Sequence, residues 1–513
     1  MFMAPMLTTW KFHDAFLTEI PKPRVFAGGK KSNSQSLHEQ VTCPSTTKMV
    51  VLNRERLYRQ GDVLKVRVIA RDAEGRRKTH GGDFLRARLI GDRSRRESSA
   101  GHVTDHGNGG YTVQFPLYWV GGVSVRIQLV HPSEAVEVLR RVRDVPNKRT
   151  FHCKFVDVEA NIIEERQCFS SPPSGLPAHR QCDFSTPDAN GTWFCERPET
   201  LPCGSIDKCK LVDNEKQTTD LLSQEEKKLF KKPYVEEELS EAVSNLSTII
   251  HVQPSEEPSS APLPPCPGNE SSSLSPGTQG HWSRGVWRSS ICNVRVFKPA
   301  DVRRCLSNKT VYIQGDSTVR QWYERLQAIL PLQNVKQNTP VLRSADNTGL
   351  SVDIHFRFHH VPIEGHVWFA FSELSYAPEQ LDLLRGGPGA VVVLSLWAHF
   401  TAEPLGVLRA RLHAIRHAIH RLQRRHPGTH VFIRTGTTRE HKGQGLRYYL
   451  WGSDWLAYKV TEMIREIFRP DPDVVLLDFW DMTVCQWGKD NVHPDLTVVD
   501  SQLNMLLSHV CPE

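Results

Sequence analysis

No apolar run in this 513-residue chain is long enough to cross a bilayer as a helix, so a helical membrane span is not expected. P-loop, zinc-finger and RNA-binding signatures are missing as well. The net charge of +7 comes from 64 basic and 57 acidic residues with the signs mixed, a mild excess that does not call for a nucleic-acid partner. The opening segment MFMAPMLTTWKFHDAFLTEIPKPR has no basic n-region, long apolar h-region or small-residue cleavage site, so no signal peptide is read in it. His413, His417 and His420 have helical spacing but lack the Glu of an H-E-x-x-H motif. Beside Leu408, Leu412, Ile415, Ile419 and Leu422 they read as a solvated flank. Asp353, His355, Arg357 and His359 alternate with Val352, Ile354, Phe356 and Phe358, the pattern of a two-faced strand rather than of a metal site. No metal is expected.

Cysteine is plentiful, with twelve in the chain. Six of them, Cys153, Cys168, Cys182, Cys195, Cys203 and Cys209, crowd one segment, and none is spaced C-x-x-C. Zinc ribbons and thioredoxin-type redox sites therefore fit poorly, and disulfides fit well, with about 15 pairings open for six cysteines. Sequons for N-glycosylation occur at Asn190, Asn245, Asn269 and Asn308. Cysteines and sequons together point to the secretory pathway, against the N-terminus. An alternative start that lost the signal reconciles the two. A cytosolic protein with reduced cysteines is the weaker reading.

The length implies two or three domains. Residues 1–40 are expected to be poorly ordered. From 41 to 145, VLKVRVIA, FLRARLI, YTVQFPL and VSVRIQLV alternate between turns, as in an antiparallel β-sandwich. The cysteine-rich segment follows at 146–212. Residues 213–280 are charged and then Pro/Ser-rich, the composition of a linker, with Cys266 as a candidate tether. From 281 to 513, strand candidates VYIQ, HVWFAF, AVVVLSL, HVFIRT and VVLLDF alternate with helices over Thr318–Ile329, Leu405–Arg425, Asp454–Phe468 and Asp495–Val510. Strands without clean alternation suit a parallel sheet buried on both faces.

The chemistry is expected at VYIQGDSTVRQWYERL. A strand breaks at Gly315-Asp316-Ser317 and a helix begins at once, which exposes the serine at a strand end and a helix N-terminus. A serine hydroxyl needs a base to become a nucleophile. Asp490 and His493, in the one D-x-x-H of the chain, offer a base and a carboxylate to orient it. Trp322, Trp397 and Trp480 are read as core residues before sugar-stacking ones.

Gly-Asp-Ser after the first strand and Asp-x-x-His before the last helix resemble the outer blocks of SGNH (GDSL-like) hydrolases, in particular the PC-esterase branch. HVTDHGNGGYTVQFPLYWVGGVSVRIQLV resembles the late strands of filamin-type immunoglobulin-like domains, and the cysteine-rich segment resembles neurexophilins. From about residue 41 onward the chain as a whole resembles the NXPE family. The resemblance implies an immunoglobulin-like sandwich, then an α/β/α domain with a parallel sheet. It makes Ser317 the nucleophile, His493 the base and Asp490 its partner. Where the family's Gly-x-Asn would complete an oxyanion hole, this chain has Trp397-Ala398-His399. His399, Asn347 and Gly349 are the candidate donors.

Relatives in that branch include a Golgi sialic acid O-acetyltransferase and plant polysaccharide O-acetyltransferases. The resemblance therefore implies acetyl transfer to glycans, sialic acid hydroxyls foremost, through a serine acyl-enzyme in the Golgi lumen or outside the cell. No bound cofactor is expected; the acetyl donor, acetyl-CoA for example, is a co-substrate. The alternatives are a carbohydrate esterase, or a secreted neurexophilin-like protein that binds a protein partner and carries a degenerate catalytic domain.

Overall fold

The computed structural model describes residues 40–212, 215–241, 249–256, 262–266, 280–334, 339, 341–363, 367–439, 445–488 and 492–512. The expected N-terminal segment, Asn245, Asn269 and Asp490 lie outside them.

Strand alternation sets the N-terminal architecture. In Val63–Ile69, Leu64, Val66 and Val68 are buried while the residues between them face solvent. One sheet runs Ser240–Glu241, Lys48–Val51, Val63–Ile69, Gly110–Pro116, His102–Asp105. A larger one runs Val286–Ser289, Gly280–Ser283, Ser98–Ala100, Phe84–Ile90, Gly121–His131, Ile249–Gln253, Tyr58–Arg59. The two share a core that includes Leu64, Val113, Phe115, Ile127 and Leu129. Each such side chain contributes roughly 1.5–3 kcal/mol by leaving water.

A third sheet holds the cysteine-rich segment. Cys153 faces Cys209 and Cys168 faces Cys195 across neighbouring strands, and both pairs are disulfide-bonded. Cys182–Cys203 completes the six, and Cys266–Cys292 and Cys305–Cys511 add two more bonds. Asn190 and Asn308 are both exposed; the Asn190 amide donates to the Ala410 carbonyl at 3.0 Å.

Two expectations are corrected. The stretch 213–280 is not simply a linker: Glu237–Glu238, Ser240–Glu241 and Ile249–Gln253 are strands of the N-terminal sheets, the last lying between Gly121–His131 and Tyr58–Arg59. Their alternating pattern, with Ile250 and Val252 buried, lies beside Pro/Ser-rich sequence that masks it. HVWFAF is not a strand of the C-terminal sheet either. Only Phe369–Ala370 is extended, and it pairs with Ile206–Val212 of the cysteine-rich sheet.

The C-terminal sheet is formed by β1 (Thr310–Gly315), β2 (Gln333–Asn334), β3 (Leu342–Asn347), β4 (Val352–Phe358), β5 (Ala390–Ser395), β6 (His430–Arg434) and β7 (Val475–Leu477), in the order β2-β3-β4-β1-β5-β6-β7. β4, β1, β5, β6 and β7 run parallel, and β2 and β3 form an antiparallel edge. Every residue of β5 is buried, as a strand covered on both faces requires. Helices α1 (Ser317–Ile329), α2 (Leu405–Arg425), α3 (Asp454–Phe468) and α4 (Leu496–Val510) flank it, α1 packing with α4 and α2 with α3. Among the parallel strands the order reverses at β1, between β4 and β5. The carboxyl ends at such a switch point are where open α/β sheets bind ligands.

Buried polar contacts tie the sheets together. Arg149 of the cysteine-rich sheet makes a buried ion pair with Glu403 at 2.6 Å, and Ser170 donates to the same carboxylate. Arg86 pairs with Asp454 at the start of α3, and the Trp282 indole donates to the Met482 carbonyl at 2.8 Å. Cys305–Cys511 spans 206 residues and ties the approach to β1 to the end of α4. Losing a native disulfide typically costs about 2–5 kcal/mol. Cys305→Ser/Cys511→Ser is expected to lower the melting temperature by several degrees in calorimetry, and an unchanged melting curve would show that this bond is not structural.

Candidate active site

The nucleophile corner is built by close approach. A Cβ on Gly315 would lie 2.2 Å from the Ser395 carbonyl oxygen, so only glycine lets β1 run against β5 here. Asp316 then caps α1: its carboxylate accepts from the Thr318 amide at 2.9 Å and the Thr318 hydroxyl at 2.6 Å. Ser317 is the first helical residue. Its hydroxyl lies 2.8 Å from His493 Nε2 across 176 residues of chain, and it donates there when the neutral ring carries its proton on the other nitrogen. That bond leaves Nδ1 as the N–H of the neutral ring, the atom for which Asp490 was expected.

Partial desolvation holds the His493 imidazole below its ordinary value. The Asp316 carboxylate pulls the other way, and Arg320 adds to the depression. The neutral ring is the form that accepts the serine proton, so the sign is favourable: the base stays competent to lower pH. The acid limb of kcat/KM is expected below about pH 6.5, the ordinary histidine value. A pH–rate profile whose acid limb lies above that value would contradict this environment.

Beneath the corner lies a network that the sequence motifs did not single out. The other Asp316 oxygen accepts from the Ala398 amide at 2.9 Å and the Trp397 amide at 3.4 Å, so one buried carboxylate pins the loop after β5 to the nucleophile. Burial alone would raise its pKa. The Thr318 and Ala398 hydrogen bonds and the charge of Arg434 oppose it and keep the group below the usual carboxylate range. Arg434, fully buried at the end of β6, donates to Thr318 Oγ1 at 2.9 Å, to the Ser395 hydroxyl at 3.2 Å and to Gln502 at 3.4 Å. An arginine closing an apolar strand, HVFIR, was the one available signal.

Trp397 does not crowd the serine. Its ring is fully buried, its Nε1 donates to Thr318 Oγ1 at 3.0 Å, and Gly436 leaves the room: a Cβ there would meet the indole at 3.2 Å. Trp322 and Trp480 are buried too, Trp322 donating to Gln502 at 2.9 Å. All three are core residues.

The oxyanion candidates fare differently. Asn347 lies at the end of β3 that pairs with Val352, whereas Gly315 pairs with Phe358 at the other end of β4. At about 3.3 Å per residue, Asn347 and the following Gly349 sit a strand's length from Ser317. The Asn347 amide is spent on the Pro331 carbonyl at 2.8 Å. A polar turn near the sheet resembled a donor loop, but strand direction puts it at the wrong end.

His399 follows β5 and is on the correct side. Its Nδ1 lies 2.9 Å from His359 Nε2, and His359 Nδ1 lies 2.6 Å from the His360 carbonyl. A carbonyl only accepts, so His359 carries its proton on Nδ1 and accepts at Nε2. His399 must then donate from Nδ1, and its Nε2 is a bare acceptor. Burial depresses both rings, His359 to about 4 and His399 well below its ordinary value, so both are neutral. The neutral His399 ring is therefore not an N–H donor to an oxyanion. His359, expected on a polar strand face, is instead buried as its partner. His420 stays on the helix flank and meets Asp471 at 2.9 Å.

Two family models match the chain. Residues 287–511 match "NXPE family member 4-like, C-terminal domain", and residues 29–214 match "Neurexophilin". The first contains Ser317 and His493; the second contains the six-cysteine sheet. In the order neurexophilin then NXPE C-terminal domain, which relates this half to esterase and acyltransferase domains, the chain belongs to the NXPE family.

Proposed function

We propose that the protein is a glycan O-acetyltransferase of the SGNH type, acting on sialic acid hydroxyls in the lumen of the secretory pathway. The observation that carries this reading is the 2.8 Å Ser317–His493 contact at the N-terminus of α1. Ser317 Oγ attacks the acetyl carbonyl carbon of a thioester donor such as acetyl-CoA while His493 Nε2 takes its proton. The tetrahedral oxyanion collapses, the donor thiolate leaves, and His493 returns the proton to it. A sugar hydroxyl then attacks the acetyl-serine. His493 removes the hydroxyl proton and passes it to the departing Ser317 oxygen.

The Thr318, Trp397 and Ala398 amides are committed to Asp316, and His399 lacks an outward N–H. The amide of Ser317 itself remains: as the first helical residue it has no intrahelical acceptor, and the helix dipole favours negative charge beside it. Five disulfides fit an oxidising compartment. The sialic acid acceptor is chosen on the resemblance to the PC-esterase branch. The reading is supported by a mostly parallel sheet with Ser317 directly after its first strand, following a strand-rich N-terminal half.

The test is incubation of the full chain with acetyl-CoA and a panel of sialylated and neutral glycans, read by glycan mass. Acetylated sialoglycans that require Ser317 support the reading. Loss of pre-existing acetyl groups instead would make the protein an esterase, and neither change would leave the neurexophilin-like binding role.

A further inference from the structure

A cavity lies where the larger N-terminal sheet meets the start of α4. Two turns meet there: the Arg284 amide of the hairpin turn donates to the Arg95 carbonyl of the Arg93–Arg96 turn at 2.6 Å. Below them is a cavity of about 260 Å³ whose lining includes Arg93, Arg96, Trp282, Trp487, Asp495 and Thr497. That is just under the roughly 300 Å³ at which pockets for drug-sized ligands begin, so it suits one ring rather than an extended chain.

The lining has the chemistry of a sugar site. Arg95 is engaged by Asp92 and Glu97, but Arg93 and Arg96 on either side of it have no ion-pair partner among the described residues. Two exposed guanidinium groups at one cavity recognise a carboxylate in a planar, bidentate way. Half-buried Trp487 supplies flat apolar surface for the C–H face of a ring, and buried Trp282 forms the floor beneath it. Asp495 uses one oxygen to cap α4, accepting from the Thr497 and Val498 amides at 3.0 and 3.2 Å, which leaves the other to accept from sugar hydroxyls. That second oxygen occupies the space a Cβ on Gly488 would need, at 1.9 Å, so glycine there shapes the wall.

We propose that this cavity is a subsite for a carboxylated sugar residue, assembled jointly by the N-terminal sheet and the C-terminal half. Asp495 lies two residues after His493 in the sequence, which links the cavity wall to the candidate base. That last link rests on the acetyl-transfer reading above; the subsite itself rests on the cavity.

The experiment titrates the full chain with the methyl glycosides of N-acetylneuraminic acid, glucuronic acid and galactose, followed by saturation-transfer NMR and calorimetry. Wild type, Ser317→Ala and Arg93→Ala/Arg96→Ala are compared. Both arginines are exposed, so the double variant should melt with the wild type. The acidic glycosides are expected to bind wild type and Ser317→Ala alike, and the double variant about tenfold or more weakly. Equal binding to the double variant, or no preference for acidic over neutral glycosides, would overturn the proposal. Acidic-sugar binding without any acetyl transfer would sink the catalytic reading and keep the subsite. Acetyl transfer without charge-dependent binding would do the reverse.

Discussion

Ser317→Ala is expected to lower kcat for acetyl transfer by about 10⁴-fold or more while leaving the melting temperature where it is. The two halves of that result have separate causes. Among the described residues the Ser317 hydroxyl makes a single side-chain hydrogen bond, to exposed His493, so its removal strands no buried group there. Its loss does remove the atom proposed to carry the acetyl group. His493→Ala should cost nearly as much, and the double variant little more than either single one, because the two act as a unit. Additive losses, or a Ser317→Ala enzyme within tenfold of wild type, would show that the corner does not carry the reaction.

Asp316→Ala should behave in the opposite way, with a large loss of stability. The variant removes one acceptor from four donors at 2.6–3.4 Å and leaves Arg434 buried without its nearest carboxylate. Breaking a buried charge network from one side typically costs about 3–5 kcal/mol. Thermal unfolding should move down by many degrees, and activity should fall as the loop after β5 loses its anchor. Asp316→Asn keeps the shape and one acceptor oxygen, so it should lie between the two. A melting curve for Asp316→Ala that overlays the wild type would mean the network is not what holds the corner.

Much of this organisation was legible in the sequence. The helices over Leu405–Arg425 and Asp454–Phe468 carry long apolar stripes at one period, and the structure places them there residue for residue. That Ser317 and His493 meet was legible because a serine at a strand–helix corner calls for a base within reach. What escaped was whatever depends on long-range pairing. Nothing near Phe369 announces that its partner strand is 160 residues away, at Ile206–Val212. Asn347 looked like a donor because sequence does not show the direction of β3. His399 looked like a replacement for asparagine; only its contact with His359 reveals which nitrogen holds the proton. The buried Arg434 broke the rule that charge stays outside, and it did so at the site, where such breaks are expected.

The most direct test of the central claim is to trap the acyl-enzyme. Wild-type protein would be mixed with acetyl-CoA without acceptor, quenched in acid and digested, and the peptide spanning Val311–Leu326 weighed. The account predicts one acetyl group on Ser317, lost on adding a sialylated acceptor and absent from His493→Ala. Acetylated glycan formed with no acetyl ever found on Ser317, or acetyl-Ser317 that no acceptor discharges, would contradict it.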